Sequence, residues 1–154
     1  MSIRNALQGE AELLTDLTFR SKASWGYDND FMESCRLGLT IHTSDIENSE
    51  NVIRVIETDS TVVGFYFLRL KEGRQARLRF FFIDPQYQRH GFGAMLFADV
   101  VEIATKRDIS SISIESDPYA EAFYEKMGAV KVGEVSSESI KGRVLPLMEY
   151  VVTQ

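Results

Sequence analysis

The chain has 154 residues, of which 44% are hydrophobic and 26% charged, as is usual for one globular domain with a proper core. Its formal net charge of -6 argues against non-specific binding to nucleic acid, because no basic face is expected to survive that balance. The single cysteine, Cys35, excludes an internal disulfide and favours a reducing cytoplasm, and no apolar run suggests a signal peptide or a membrane span.

The first fifty residues predict a short strand followed by two helices. Residues 3–6 fit a strand, and residues 9–23 carry leucines at near-helical spacing with basic residues at the end. Gly26 and its polar neighbours break that helix, and a second helix is predicted from Asp30. Its expected buried residues are Phe31, Met32, Cys35, Leu37 and Leu39. Residues 41–51 resemble a loop with room for a single helical turn.

Alternation of apolar and polar residues predicts three strands, at 51–57, 62–70 and 76–83. The turns between them are short, so we expect an antiparallel meander. Residues 91–107 then carry one apolar stripe at helical spacing, and residues 109–116 alternate like a strand.

The last forty residues predict a helix and two strands. In the helix, Asp117 is the expected N-cap, Pro118 the first helical residue and Gly128 the residue just past the end. The final strands are expected at 129–134 and 145–152.

The stretch "FFIDPQYQRHGFGAMLF", residues 81–97, joins a buried strand to a helix through two glycines. A helix N-terminus leaves backbone N–H groups unpaired, and Gly91 and Gly93 lack the Cβ that would keep an anion away or oppose positive φ. The alternative is that the two glycines only allow a tight turn between the strand and the helix and bind nothing. Neither the nucleotide-binding P-loop nor the dinucleotide fingerprint fits, since Leu96 stands where a third glycine would be needed.

The residues Gln88, Arg89, His90, Gly91, Phe92 and Gly93 resemble the central motif of the GNAT superfamily of acyl-CoA-dependent N-acetyltransferases. A second motif of that superfamily resembles "AFYEKMGA" at 122–129, and the order of predicted elements is also similar. The resemblance spans essentially the whole chain as one domain, 1–154. It implies an α/β (α+β) fold, with a mixed, mainly antiparallel sheet that splays after the motif strand and helices on both faces.

The resemblance implies that acetyl-CoA is the cosubstrate. The pantetheine arm would bind the backbone of Phe81, Phe82 and Ile83, and a backbone N–H near Phe81 or Phe82 would polarise the thioester carbonyl. The main role expected of Asp117 is to cap the helix that it precedes, and a contact with coenzyme A is a secondary role. The pyrophosphate would bind the loop formed by Arg89, His90, Gly91, Phe92, Gly93 and Ala94.

Tyr124 matches the family tyrosine that gives a proton to the leaving thiolate, although a helix aromatic packed in the core is the alternative. The sequence departs from the family pattern at the general base, because Arg79 stands where many relatives carry Glu. Glu115 is the replacement candidate, Glu33 is another, and a solvated carboxylate is the plain alternative for both. A water relay would also serve.

The acceptor side is expected at the loop between the first two helices. Trp25 and Tyr27, beside Asp28 and Asp30, suit an amine with an apolar body, unless the aromatics only close a hydrophobic patch. Arg143 is a candidate to bind a substrate carboxylate.

The implied reaction moves acetyl from acetyl-CoA to a primary amine of a small molecule or peptide by direct attack in a ternary complex. A non-catalytic coenzyme-A-binding module and a different acyl donor are the alternatives. No metal is assigned, because His42, His90 and Cys35 show no ligand spacing. Family members are often dimers, so a homodimer is an open alternative.

Overall fold

The computed structural model describes residues 1–153, which form a seven-stranded mixed sheet with the strand order β1-β2-β3-β4-β5-β7-β6. The strands are β1 (Ser2–Asn5), β2 (Asn51–Thr58), β3 (Thr61–Lys71), β4 (Gln75–Ile83), β5 (Ser111–Glu115), β6 (Val130–Ser136) and β7 (Val144–Val151). The helices are α1 (Ala11–Ala23), α2 (Asn29–Ser34), α3 (Thr43–Glu47), α4 (Phe92–Lys106) and α5 (Glu121–Lys126). None of the helices in residues 1–153 is both long and apolar enough to span a bilayer.

The predicted strands and helices are present close to their expected bounds, and β2, β3 and β4 form the predicted antiparallel meander. Two expectations were wrong. Leu37 is 94% exposed, because α2 ends at Ser34 and Leu37 lies in a separate 3₁₀ turn. Residues 117–128 form a 3₁₀ turn followed by the short helix α5, not one continuous helix.

Helices cover both faces of the sheet, as the fold prediction requires. On one face, Leu96 and Val100 of α4 pack with Ile112 of β5 and Met148 of β7. On the other face, Leu14 and Leu17 of α1 pack with Phe65 and Phe67 of β3 and Phe80 of β4. All of these core side chains are removed from water, which is the main source of stability for such a layered fold.

Strand β4 contains a β-bulge at Arg79, because Phe67 of β3 pairs with Phe80 and the next β3 residue pairs with Leu78. Beyond the bulge, the apolar run 80–83 serves two cores at once. Its even-numbered residues pack towards α1, and its odd-numbered residues pack towards α4. A continuous apolar run is therefore explained by burial on both faces.

The sheet opens beside the same strand. Strand β4 pairs with β5 in parallel only where Gln75–Arg77 meets Ser111–Ser113. Beyond Arg77 the two strands diverge, so the second half of β4 has one edge without a neighbouring strand among residues 1–153. This opening, which we call the β4/β5 split, confirms the predicted splay.

Candidate active site

The backbone of β4 presents polar groups to the β4/β5 split. Asp84 donates its N–H to Val63 O of β3 at 2.8 Å, whereas Ile83 O accepts a hydrogen bond from Ser21 Oγ of α1 at 3.0 Å. Successive residues of an antiparallel strand turn their N–H and C=O groups to opposite edges. The backbone groups of Phe81 therefore face the split together with those of Ile83.

Phe82 has the opposite backbone orientation. Its carbonyl oxygen lies close to Gly64 of β3, 2.9 Å from where a Cβ on that glycine would stand. The Phe82 ring remains beside the split, since it packs 6.3 Å from the Trp25 ring. Of the two N–H groups suggested for thioester polarisation, that of Phe81 has the suitable direction.

The loop before α4 carries a row of backbone donors. Arg89 (φ 67°) and Gly91 (φ 81°) both adopt the left-handed conformation. The first helical hydrogen bond runs from Met95 N–H to Gly91 O at 3.1 Å, and the N–H groups of residues 89–94 have no acceptor within residues 1–153. Unpaired N–H groups at a helix N-terminus favour an anion.

The two loop glycines have different roles. Of the two, only Gly91 adopts positive φ. A Cβ on Gly93 would lie 3.0 Å from Phe123 Cε1, which shows that Gly93 lets α4 approach α5 closely. The His90 ring stacks on the Phe92 ring at 6.0 Å, outside the cavity beside the loop.

That cavity, which we call the loop-side cavity, has a volume of about 400 Å³ and lies between β4, the loop and α5. Its lining includes the predicted residues Phe81, Ile83 and Arg89 and also Lys126, which the sequence analysis missed. Lys126 follows the lining residue Phe123 by three positions on α5, so helical spacing could have identified it.

A second, strand-side cavity of about 180 Å³ lies inside the split, between β4 and β5. The loop after α1 and the segment before β7 close its sides. Its lining shares five residues with that of the loop-side cavity: Trp25, Phe81, Phe82, Ala120 and Tyr124. The two cavities therefore adjoin each other, and Tyr124 is one of the residues that border both.

Tyr124 combines burial with an unused hydroxyl. Its side chain is 6% exposed and packs against Phe81 and Phe97, with ring centroids at 6.1 and 6.4 Å. None of residues 1–153 hydrogen-bonds its hydroxyl. Burial, followed by the negative charge of Asp117, raises the pKa of Tyr124 well above that of free tyrosine. The phenol therefore keeps its proton at any physiological pH.

Asp117 is the centre of a buried polar cluster. It caps the turn before α5 by accepting the N–H of Tyr119 at 3.0 Å, as predicted. It also contacts Lys22 Nζ at 3.0 Å, the Tyr27 hydroxyl at 3.0 Å and an Arg143 guanidinium nitrogen at 3.3 Å. We call Lys22, Tyr27, Asp117 and Arg143 the Asp117 cluster.

The electrostatics of the Asp117 cluster keep its acid ionised. Burial alone would raise the pKa of Asp117, but the Lys22 charge and the hydrogen bonds from Tyr119, Lys22 and Tyr27 hold that pKa below its usual value. Burial and the Asp117 charge raise the pKa of Tyr27, so that its hydroxyl remains a donor. Asp117 lines the strand-side cavity and not the loop-side cavity.

The predicted acceptor aromatics occupy different places. Trp25 stacks on Tyr119 at 5.9 Å and lines both cavities. Tyr27 stacks on Phe31 at 4.1 Å and lines neither cavity. Asp28 caps α2 by accepting the Phe31 N–H at 2.8 Å, so this acid has a local structural task. The carboxylates that line the strand-side cavity come from elsewhere in the chain.

The candidate bases also differ in whether they line a cavity. Glu115 lines the strand-side cavity and contacts Arg77 at 3.1 Å. Glu33 forms an exposed ion pair with Arg36 at 2.6 Å and lines neither cavity. Glu138, which the sequence analysis missed, lines the strand-side cavity from the segment before β7. Its loop position gives no periodic signal by which the sequence could identify it.

Residues 38–142 match the family of the acetyltransferase (GNAT) domain. The chain belongs to the GNAT acetyltransferase family. The matched residues of this GNAT domain run from the 3₁₀ turn before α3 to the segment before β7, and thus include the β4/β5 split and the loop before α4.

Individual proteins are similar to this GNAT domain. It is 26% identical over 114 residues to the chloroplastic GCN5-related N-acetyltransferase 2 of Arabidopsis thaliana, which covers 74% of the chain and 43% of that protein. The chain spans about half the length of the curated relatives it matches.

Solved structures also share its fold. The PaiA N-acetyltransferase of Thermoplasma acidophilum, in complex with coenzyme A, has a TM-score of 0.78 at 20% identity, over 97% of this chain and 98% of that one. The ribosomal-protein-S18-alanine N-acetyltransferase of Escherichia coli has a TM-score of 0.74 at 16% identity, over 99% and 94%. At these identities the likeness shows the fold alone.

Proposed function

We propose that this GNAT domain, taken as one domain over 1–154, transfers acetyl from acetyl-CoA to a primary amine of a small molecule or peptide. The reaction is direct attack within a ternary complex. The observation that carries the proposal is that Tyr124 borders two adjoining cavities, one beside unpaired backbone donors and one among charged side chains. The N-acetyltransferase names of the relatives, and the coenzyme A complex of the Thermoplasma acidophilum protein, support it.

The residues of the loop-side cavity fit coenzyme A. When bound, acetyl-CoA supplies an acetyl group activated as a thioester. The N–H groups of residues 89–94 suit its pyrophosphate, and Arg89 and Lys126 add positive charge at the same cavity. The edge of β4 at Phe81 and Ile83 suits the amide groups of pantetheine, because an extended chain can pair with a strand edge that no neighbouring strand within residues 1–153 occupies. His90, Phe92, Gly93 and Ala94 belong to this proposed binding loop.

Three groups of the protein act at the reacting atoms. The acceptor nitrogen forms the new C–N bond while the C–S bond breaks. The Phe81 N–H donates to the carbonyl oxygen as negative charge develops there. Tyr124 donates its hydroxyl proton to the sulfur, and Glu115, directly or through water, accepts the proton that leaves the nitrogen. Glu33 is less suitable as the base because it lies outside both cavities.

Initial rates with both substrates varied test this mechanism. Direct attack requires both substrates to be bound together, so double-reciprocal plots should intersect. Parallel plots would indicate a covalent acetyl-enzyme and contradict the proposal. Rates with acetyl-CoA and propionyl-CoA, compared under the same conditions, test whether acetyl is the preferred acyl group.

The proposal includes two further predictions. The single cysteine favours a cytoplasmic location. The family resemblance favours a homodimer, which light scattering of the purified chain would reveal as twice the 17.5 kDa chain mass. A mass of one chain would contradict the dimer.

A further inference from the structure

The strand-side cavity contains one cation that no carboxylate of residues 1–153 neutralises. Arg79 has an exposed side chain at the β-bulge, and its guanidinium carbon lies 4.8 Å from the Phe67 ring centroid and 5.7 Å from that of Phe80. Stacking on aromatic rings restricts the guanidinium while leaving its N–H donors unused. Arg79 therefore presents a partly ordered set of donors at this cavity.

The neighbouring charges leave an excess of positive charge. The lining carries four cations and three carboxylates, namely Lys22, Arg77, Arg79 and Arg143 against Glu115, Asp117 and Glu138. Lys22 and Arg143 both form ion pairs with Asp117. Arg77 forms an ion pair with Glu115. This local excess contrasts with the formal charge of -6 for the whole chain.

Arg77 adds a second unused donor. Its Nε atom is buried and has no hydrogen-bond partner, the single such side-chain nitrogen or oxygen recorded within residues 1–153. Buried polar groups in proteins are nearly always hydrogen-bonded, and an unpaired one costs free energy. Arg77 and Arg79 are two positions apart on β4, and both line the strand-side cavity.

We infer that the acceptor is an amine that also carries an anionic group, a carboxylate or a phosphate, which binds Arg79 with Arg77 as a second donor. The inference rests on the proposed function and narrows its substrate class. An arginine fork matches the oxygens of either anion, whereas a diamine or polyamine would add to the local positive excess. A cavity of about 180 Å³ has the volume of roughly six water molecules, which suits a compound of amino-acid size.

Binding of matched amines to the chain saturated with coenzyme A tests the inference by calorimetry. The probes share a five-carbon chain: 5-aminopentanoate, 5-aminopentyl phosphate, pentylamine and 1,5-diaminopentane. We expect at least one of the two anionic amines to bind about tenfold or more tightly than pentylamine, as one charge-assisted hydrogen-bond pair implies. The two anionic probes distinguish carboxylate from phosphate recognition. The inference would be overturned if pentylamine or the diamine bound as tightly as, or more tightly than, both anionic amines.

Matched variants assign that preference to a residue. Arg79→Gln should remove the tenfold preference while leaving pentylamine binding unchanged, and Arg79→Lys should retain part of it. Arg107→Gln, an exposed arginine at the far end of α4, is the control and should behave as wild type. A preference that survives Arg79→Gln would overturn the role of Arg79. These titrations measure binding and need no turnover. A chain that shows the binding preference but transfers no acetyl group would therefore contradict the proposed function and not this inference.

Discussion

At the scale of single residues, Tyr124 carries the most specific chemistry of the proposal. A buried phenol usually hydrogen-bonds a protein group, yet no residue of 1–153 accepts from or donates to this hydroxyl. Its ring is held by packing against Phe81 and Phe97. The position of the hydroxyl is therefore set by the ring alone, and its removal should disturb the fold very little.

Tyr124→Phe should lower kcat by about 100-fold, because a positioned general acid contributes on that order. Stability should change by less than about 0.5 kcal/mol, since no hydrogen bond is lost. Acetyl-CoA affinity should stay within about twofold, as the phenol acts in the transition state. Tyr150→Phe, which lies outside both cavities, is the matched control. Stopped-flow or steady-state thiol release measures kcat, and an unchanged value would remove Tyr124 from the mechanism.

Gly91 offers a second test at this scale. Gly91→Ala should lower stability by about 1 kcal/mol, because an L-residue is strained at φ 81°. It should also weaken acetyl-CoA binding by about tenfold, as the loop donors lose their orientation. Gly73→Ala is the control, since Gly73 has φ 72° in the β3–β4 turn and equally open space around a new Cβ. Calorimetry that shows the same acetyl-CoA affinity for both variants would contradict the binding role of the loop.

At the scale of elements, the Asp117 cluster joins three parts of the chain beside the strand-side cavity. Lys22 comes from α1, Asp117 from the turn after β5, and Arg143 from the segment before β7. Their side chains are 10%, 8% and 17% exposed, so solvent screens these ion pairs weakly. The cluster thus fixes the positions of α1, the turn after β5 and the segment before β7, which all line the strand-side cavity.

Asp117→Asn should lower the free energy of unfolding by about 3 kcal/mol at pH 7, because two nearly buried cations lose their counter-charge. The pKa of Asp117 is lowered by folding, so its contribution is present above the unfolded pKa of about 3.9 and is lost as pH falls through the folded pKa. The difference from wild type should therefore shrink in acid. Asp108→Asn, in an exposed pair with Arg74, is the control. Denaturant titrations in which both variants lose equal stability would contradict this account.

The same scale shows how far sequence carries the structure. Periodicity located the strands and helices α1, α2 and α4, because alternation and helical stripes report burial directly. Helix α5 was indicated by its capping residues, and α3 was expected only as a single turn in a loop. Periodicity did not reveal the bulge at Arg79, since a bulge depends on the register with β3 and leaves no mark in a run of apolar residues. The Asp117 cluster escaped it too: its capping role is local, whereas its contacts with Lys22, Tyr27 and Arg143 join positions up to 95 residues away. The motif loop could be identified from the sequence because its glycines and the other motif residues lie within one short segment, Gln88 to Gly93.

At the scale of the whole molecule, the sheet positions the proposed chemistry. The β4/β5 split gives one strand two tasks, packing both cores through its side chains and exposing its backbone edge to the cleft. The loop-side and strand-side cavities both border that strand, and both are lined by Tyr124. Such an arrangement brings a donor and an acceptor together, as direct transfer requires. A domain that only binds coenzyme A would need the loop-side cavity alone.

The most direct test of this account compares thiol release from acetyl-CoA with acetylation of an added amine, using mass spectrometry on the same samples. The amine panel should include amino acids, aminoalkyl phosphates, simple alkylamines and peptides. We predict that thiol release depends on the amine and equals the amount of acetylated amine, one for one. Binding of acetyl-CoA without amine-dependent thiol release across the panel would contradict the account and indicate a coenzyme-A-binding module.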